Sequence, residues 1–190
     1  MKVGLFFGSF NPVHIGHMII ANYMISFTDI EELWFVLSPQ NPLKEKSLLI
    51  DDALRLEMLK IAVGKNAKIK VSDAELKLSK PSFTINTLKH LAELYPKDEF
   101  VIIMGSDGLE SFSQWKDYQI LEKNYQRYIY PRPGADYFDF KLHKNCIFHP
   151  APLVDISSKY IRNALKEKKD MRYFLPAGVF EFISSNDLYI

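Results

Sequence analysis

Short apolar runs alternate along the chain with longer stretches in which apolar residues recur every three or four positions. Val3–Phe7, Leu33–Leu37, Ile69–Ser72, Phe100–Met104 and Tyr128–Tyr130 are brief runs of branched, aliphatic and aromatic residues, and each predicts a strand. Several lack polar alternation, the pattern of strands covered on both faces of a parallel sheet. Between them, Leu54, Met58 and Ile61 fall at i, i+4, i+7, and Leu88, Leu91, Ala92 and Tyr95 at i, i+3, i+4, i+7. Each set predicts one inward stripe on a helix, the second helix ending at Pro96. A helix over Ser158–Lys168 turns Ile161, Ala164 and Leu165 inward and a basic face outward. A last one begins near Pro176, a residue suited to a first helical turn, and turns Val179, Phe182 and Ile183 inward.

Strand–helix alternation of this kind predicts an α/β fold: a Rossmann-like, doubly wound, mostly parallel sheet flanked by helices. At 190 residues the chain fits one domain over residues 1–190. Ligands in such folds bind beyond the carboxyl ends of the strands, so the turns after each apolar run are where chemistry is expected.

Charge narrows the partners. With 24 Lys+Arg against 23 Asp+Glu, nothing favours nonspecific binding to nucleic acid or to an anionic membrane. The lone Cys146 can form neither an intramolecular disulfide nor a cysteine-rich zinc site, and it fits a reducing compartment. Val3–Phe7 is too short for a secretory signal, with Pro12 and two histidines close behind, and no run approaches the length of a membrane span. A cytoplasmic location is the expectation. Oligomeric state is not readable, although aromatics in the Tyr125–Phe140 stretch, if exposed, offer an interface.

The first turn carries the most chemistry. Val3–Phe7 runs into Gly8-Ser9-Phe10-Asn11-Pro12-Val13-His14-Ile15-Gly16-His17, followed by a helix-like run from Met18. Gly8 permits a tight turn and close backbone approach. Ser9 and Asn11 are polar at the strand end. His14 and His17, three apart, face one side of a helix start, and Gly16 puts no side chain between them. Unpaired N–H groups at a helix start together with two imidazoles make a phosphate site. The same pair can also serve as metal ligands or as core histidines. Having no carboxylate or third histidine close in sequence, it reads better as a phosphate site.

Gly8–His17 resembles the G-x-F-x-P-x-H-x-G-H signature of the nucleotidyltransferase superfamily, whose H-x-G-H element is shared with class I aminoacyl-tRNA synthetases. Ile156-Ser157-Ser158-Lys159-Tyr160-Ile161-Arg162 is similar to its second signature, I-S-S-T-x-I-R, with Lys159 in place of Thr. Here either serine can cap the following helix, and Arg162 lies one turn in, with a fork suited to phosphate oxygens. The middle of the chain resembles the nicotinate-mononucleotide adenylyltransferase branch. Asn41-Pro42-Leu43-Lys44 sits where that branch has P-P-H-K, with Leu43 at the His position. Ser82–Leu88 is similar to S-Y-T-x-D-T-L, with Asn86 for Asp. Gly105 to Trp115 is similar to G-x-D-x-L-x-x-F-x-x-W, and Arg132-Pro133-Gly134 to R-P-G.

The resemblance implies adenylyl transfer from ATP to nicotinate mononucleotide, giving nicotinate adenine dinucleotide and pyrophosphate without a covalent intermediate. Nicotinamide mononucleotide, phosphopantetheine or flavin mononucleotide as acceptor are the alternatives, as is a nucleotide-binding regulatory module without catalysis. By resemblance His14, His17 and Arg162 are catalytic. Gly8, Ser9, Phe10, Lys44, Gly105, Asp107, Ile156, Ser157 and Ser158 bind ATP, and Asn11, Thr84, Trp115 and Lys116 meet the acceptor. Several of these also have plainer readings: Trp115 as a core aromatic, Asp107 and Thr84 as helix caps. Lys116, where the family often has an aromatic residue, either pairs with the nicotinate carboxylate or points into solvent. Mg²⁺ is expected on the ATP phosphates, with no protein metal site. The imidazoles are expected to titrate near neutrality, so activity is expected to fall in acid or alkali. A loop over Gln40–Leu49 is a candidate for closing over substrate.

Overall fold

The computed structural model describes residues 1–39, 49–135 and 144–189. Its strands are β1 (Lys2–Gly8), β2 (Glu32–Leu37), β3 (Ile69–Ser72), β4 (Glu99–Gly105), β5 (Arg127–Tyr130) and β6 (Cys146–Phe148). They form a six-stranded sheet in the order β3-β2-β1-β4-β5-β6, with every pairing parallel. This is the predicted Rossmann-like architecture, and the five predicted strands all lie in it. The sixth, β6, is three residues long with only partly buried side chains, too short and too wet to leave a periodic signal.

Helices α1 (Ile15–Phe27), α2 (Asp52–Val63), α3 (Thr84–Leu94), α4 (Asp107–Ser111), α5 (Tyr118–Asn124), α6 (Ser158–Lys166) and α7 (Val179–Ser185) cover the sheet. Side chains alternate along a strand, so β1 sends Val3 and Leu5 to one face and Phe6 to the other. The Phe6 face packs with Ile20 and Met24 of α1, Met58 and Leu59 of α2, Ile161 of α6 and Val179 and Ile183 of α7. The Val3 face packs with Ile85, Leu88 and Leu91 of α3, and with Leu109 and Leu121. Burial on both faces explains why the strands read as continuous apolar runs.

Some helical details differ from the pattern. The first helix begins at Ile15, not Met18, with His14 in an extended conformation as its N-cap. On α2, Met58 is buried as predicted, but Leu54 and Ile61 are only partly covered, and Arg55 is fully buried in their stead. On α3, Ala92 and Tyr95 are exposed; the inward stripe is Ile85, Leu88 and Leu91, and Tyr95 is already the C-cap. Helix α6 stops at Lys166, and Pro176 lies three residues before α7, where its carbonyl accepts the Val179 N–H. Tyr128 and Tyr130 are buried and Tyr125 is half-buried, so the described part of the Tyr125–Phe140 stretch offers no exposed aromatic face.

Candidate functional site

The order of strands reverses between β1 and β4, and there, past their carboxyl ends, a cavity of about 620 Å³ opens. Phe6, Phe7 and Gly8 of β1 and Ile102–Gly105 of β4 form its floor, and Tyr130 closes the β5 side. The loop Ser9–Asn11, the start of α1, and residues 157–159 and 162 at the start of α6 form its walls, facing Asp107, Trp115 and Arg132. A cavity this size suits a nucleotide-sized ligand.

The loop after β1 is held from several directions. Phe10 has a positive φ of 44°, and its ring turns back under the strand, packing edge-on to Phe6 and Phe35. Gly8 makes this possible, since a Cβ there would stand 2.7 Å from Phe10 Cζ. Arg162 of α6 donates to the Asn11 carbonyl at 2.7 Å, and the Ser158 hydroxyl donates to the Pro12 carbonyl at 2.9 Å. Tyr189, in the last turn of the chain, donates its hydroxyl to Asn11 Oδ1 at 2.8 Å. The two signature segments, about 140 residues apart in sequence, are therefore bonded into one unit.

His14 and His17 are stacked, with ring centroids 3.7 Å apart and planes 25° from parallel. The His14 N–H donates to His17 Nδ1 at 3.2 Å, which makes that nitrogen an acceptor and assigns the ring proton to Nε2. His14 is 3% exposed, and its Nδ1 is turned inward against Gly16, facing the His17 N–H in a reciprocal cap of the helix start. That leaves Nε2 as the His14 atom able to meet a ligand. Burial, with Arg132 near, pushes the His14 imidazole down to about 4, so His14 does not titrate near neutrality as the sequence reading expects. Ser157 is the serine that caps α6, accepting the Tyr160 N–H.

Charge in the cavity is mostly positive. Among the described residues Arg132, Lys159 and Arg162 line it, with Asp107 as the one lining carboxylate, 3.7 Å from Arg132. The starts of α1 and α6 add N–H groups that have no acceptor within their own helices. Guanidinium forks, an ammonium and helix starts arranged around one space favour a polyphosphate. Among the described residues no group of three or more His, Cys, Asp or Glu side chains could hold a metal ion.

Of the residues expected at the site, Gly8, Ser9, Asn11, His14, His17, Gly105, Asp107, Trp115, Ser157, Ser158 and Arg162 all line this one cavity. Phe10 also borders it, but its ring belongs to the core, so only its backbone is available to a ligand. Ile156 packs against the core instead of lining the cavity, because it sits on the inward side just before α6. Thr84 is not a cap: Phe83 occupies that position, and Thr84 opens α3 outside the cavity lining. Lys116 is exposed, closer to the solvated reading than to a cavity role, and its ammonium rests over the Phe83 ring at 4.8 Å. Lys44 and most of the loop over Gln40–Leu49 lie outside the described residues, but Leu49 lines the cavity. Sequence reasoning left out Tyr130 and Val154 as lining residues, and Tyr189 as a support; none of the three has a local motif to mark it.

Comparison with known proteins gives the same picture. Residues 5–164 match the cytidylyltransferase-like family. A "probable nicotinate-nucleotide adenylyltransferase" of Flavobacterium johnsoniae is 46% identical over 191 residues, covering 100% of this chain and 99% of the relative. One of the same name from Porphyromonas gingivalis is 45% identical over 177 residues, covering 93% and 90%. Among solved structures, Plasmodium falciparum nicotinic acid mononucleotide adenylyltransferase complexed with NaAD superimposes with a TM-score of 0.84 at 21% identity, over 99% of this chain and 97% of that one. At that identity the likeness speaks for the fold.

Proposed function

The chain belongs to the cytidylyltransferase-like family, with full-length relatives named as nicotinate-nucleotide adenylyltransferases, and from that premise we propose that it transfers the adenylyl group of ATP to nicotinate mononucleotide. The observation that carries the site assignment is the cavity at the β1/β4 switch point, where the stacked histidines, the α6 start and Arg132 converge. One phosphate oxygen of the mononucleotide attacks the α-phosphorus of ATP in line. The new O–Pα bond forms as the Pα–O bond to the β-phosphate breaks, and pyrophosphate leaves with that electron pair. No nucleophilic side chain is required, so positioning and charge stabilisation account for catalysis.

In this reading the triphosphate lies along the starts of α1 and α6. His14, neutral, and His17 offer Nε2 to the α-phosphate as hydrogen-bond donors, stabilising its developing charge. Arg162 and Lys159 face the departing pyrophosphate. Arg162 keeps one nitrogen on the Asn11 carbonyl and so remains aimed. Asp107 receives the adenosine ribose hydroxyls. Trp115, at the opposite lip, stacks on the pyridine ring. The preference for an acid over an amide on that ring is taken from the name of the relatives, since Lys116 rests over Phe83 outside the cavity.

Mg²⁺ fits this site only as a companion of ATP. Among the described residues Asp107 is the one lining carboxylate, too few for a protein cage, so phosphate oxygens and water would hold the ion, which would neutralise charge on the leaving group. Partners are then ATP and the mononucleotide. No helix among the described residues is long and apolar enough to cross a membrane, and the neutral charge balance offers nothing to nucleic acid. We place the reaction in the cytoplasm, where ATP is made.

Pyrophosphate release with ATP and Mg²⁺, measured in parallel on nicotinate and nicotinamide mononucleotides, tests the reading. Turnover on the acid, lost in His17→Ala, is expected. Equal turnover on the amide removes the preference for the acid, and no turnover on either removes the function.

A further inference from the structure

Two of the buried charged side chains that have no part in the chemistry above, Arg55 and Glu75, lie close together. Arg55, on α2, is 0% exposed, and its guanidinium holds loops that follow two different strands. Nη1 donates to the carbonyls of Ser9 (2.6 Å) and Ser38 (3.0 Å), Nη2 to that of Pro39 (3.3 Å), and Nε to that of Ile50 (3.1 Å). Asp52 balances its charge. Glu75, in a 3-10 turn after β3, is 2% exposed. It accepts hydrogen bonds from Ser82 (3.2 Å) and Thr87 (3.1 Å), and the nearby Ser38 hydroxyl also favours its charged form.

Ser38 belongs to both groups, its carbonyl bonded to Arg55 and its hydroxyl set beside Glu75. An unbroken path thus runs from Ser9 in the cavity wall through Arg55, Ser38 and Glu75 to Ser82 and Thr87, which flank Phe83 and the start of α3. Lys80, just before that segment, ties back to Asp52 at 3.2 Å. The far end of the path is the segment beneath Lys116, next to Trp115 at the cavity lip. Stability alone does not call for buried ions, since apolar side chains of like volume avoid the desolvation cost. What a fully bonded ionic node provides is fixed geometry between the groups it joins.

We propose that Glu75 is a positioning residue for the acceptor: through Ser38 and Arg55 it holds the 82–87 segment in register with the loop that meets the phosphates. The proposal rests on the adenylyltransferase reading for the identity of the acceptor, but not for the existence of the link. Glu75→Gln keeps the shape and removes the charge that all three hydroxyls address. Ser38→Ala deletes the shared hydroxyl and leaves the carbonyl on Arg55. Removal of a hydrogen bond to a buried charge sets the scale, so each variant is expected to raise KM for nicotinate mononucleotide about ten-fold. KM for ATP, and kcat at saturating mononucleotide, are expected to stay within about two-fold. The double variant is expected to lose less than the product of the two single losses, because both changes act on one contact.

Amide hydrogen exchange is measured on the same proteins, with faster exchange expected in the 82–88 amides of both variants and not in β4. An unchanged KM for the mononucleotide overturns the proposal, as does an equal rise in both KM values, the mark of general loosening. If the unmodified protein releases no pyrophosphate, the function reading fails and the positioning link is judged by exchange alone. Exchange unchanged at 82–88, or raised throughout the chain, then overturns it. Should Glu75→Gln not fold, Ser38→Ala, which removes one partly covered hydroxyl, carries both measurements.

Discussion

Replacing Gly16 by alanine separates the stability of α1 from the geometry of the site. Gly16 is the second residue of α1, and alanine in a helix is worth about 0.8–1 kcal/mol over glycine. An added Cβ would stand 3.0 Å from His14 Nδ1, 3.1 Å from His14 Cε1 and 3.1 Å from Val154 Cγ1. Ordinary contact begins at about 3.5 Å, so the imidazole must shift by about half an ångström. His14 has little room to do so: it is 3% exposed and stacked on His17 at 3.7 Å. The strain of that shift offsets the helical gain, and the melting temperature is expected to change by only a few degrees, since about 1 kcal/mol moves it by roughly 2–8 °C. Activity is more sensitive. A misplacement of about 1 Å at a reacting centre costs about a hundred-fold, so about half of that shift predicts a kcat loss of roughly ten-fold. Steady-state pyrophosphate release with a thermal melt on the same preparation decides it. Full kcat in a stable Gly16→Ala protein would refute the view that the position of the His14 ring controls the rate.

Other expectations follow from the same geometry. His14 has a folded pKa of about 4 against about 6.5 unfolded, so its contribution to stability is complete above pH 6.5 and is lost as the pH falls towards 4, by about 3 kcal/mol in all. Urea unfolding at pH 7 and pH 4.5 should show that loss in the native protein and a smaller one in His14→Gln; equal slopes would contradict the assignment. Trp115→Ala should raise KM for the mononucleotide about ten-fold and leave KM for ATP within about two-fold, the scale of one stacked base; an unchanged mononucleotide KM returns Trp115 to a packing role. Chelation of Mg²⁺ should abolish turnover and leave the melting temperature unchanged, because no described side chains form a cage for the ion. A drop in melting temperature on chelation would point to a protein-held metal.

What could be read from the sequence, and what could not, divides along a physical line. Apolar periodicity reports burial of whole faces, so it located the five strands and the inward faces of α6 and α7 to within a few residues, and half of the α3 stripe. Gly8, His14, His17, Asp107 and Arg162 stand out through their resemblance to the superfamily's motifs, and the fold brings all five to one cavity. Periodicity failed where charge goes inside. Arg55 occupies an inward position of α2 because four carbonyls await it at the strand ends, and those carbonyls come from Ser9, Ser38, Pro39 and Ile50, up to 46 positions away. Glu75 is buried for the same reason, opposite three hydroxyls from two segments. Lys116 could be read either as a salt-bridge partner or as solvated; it is exposed and lies over Phe83, a ring brought to it by the tertiary fold. Single-sequence reasoning assigns a charge to the surface by default, which is right wherever no distant polar group has been left unpaired by folding. In a doubly wound sheet such groups accumulate at the carboxyl ends of the strands, where ladders stop and the backbone turns. The place where charge patterning misleads most is thus the place where the ligand binds, and buried ions near a switch point mark the supports of a site.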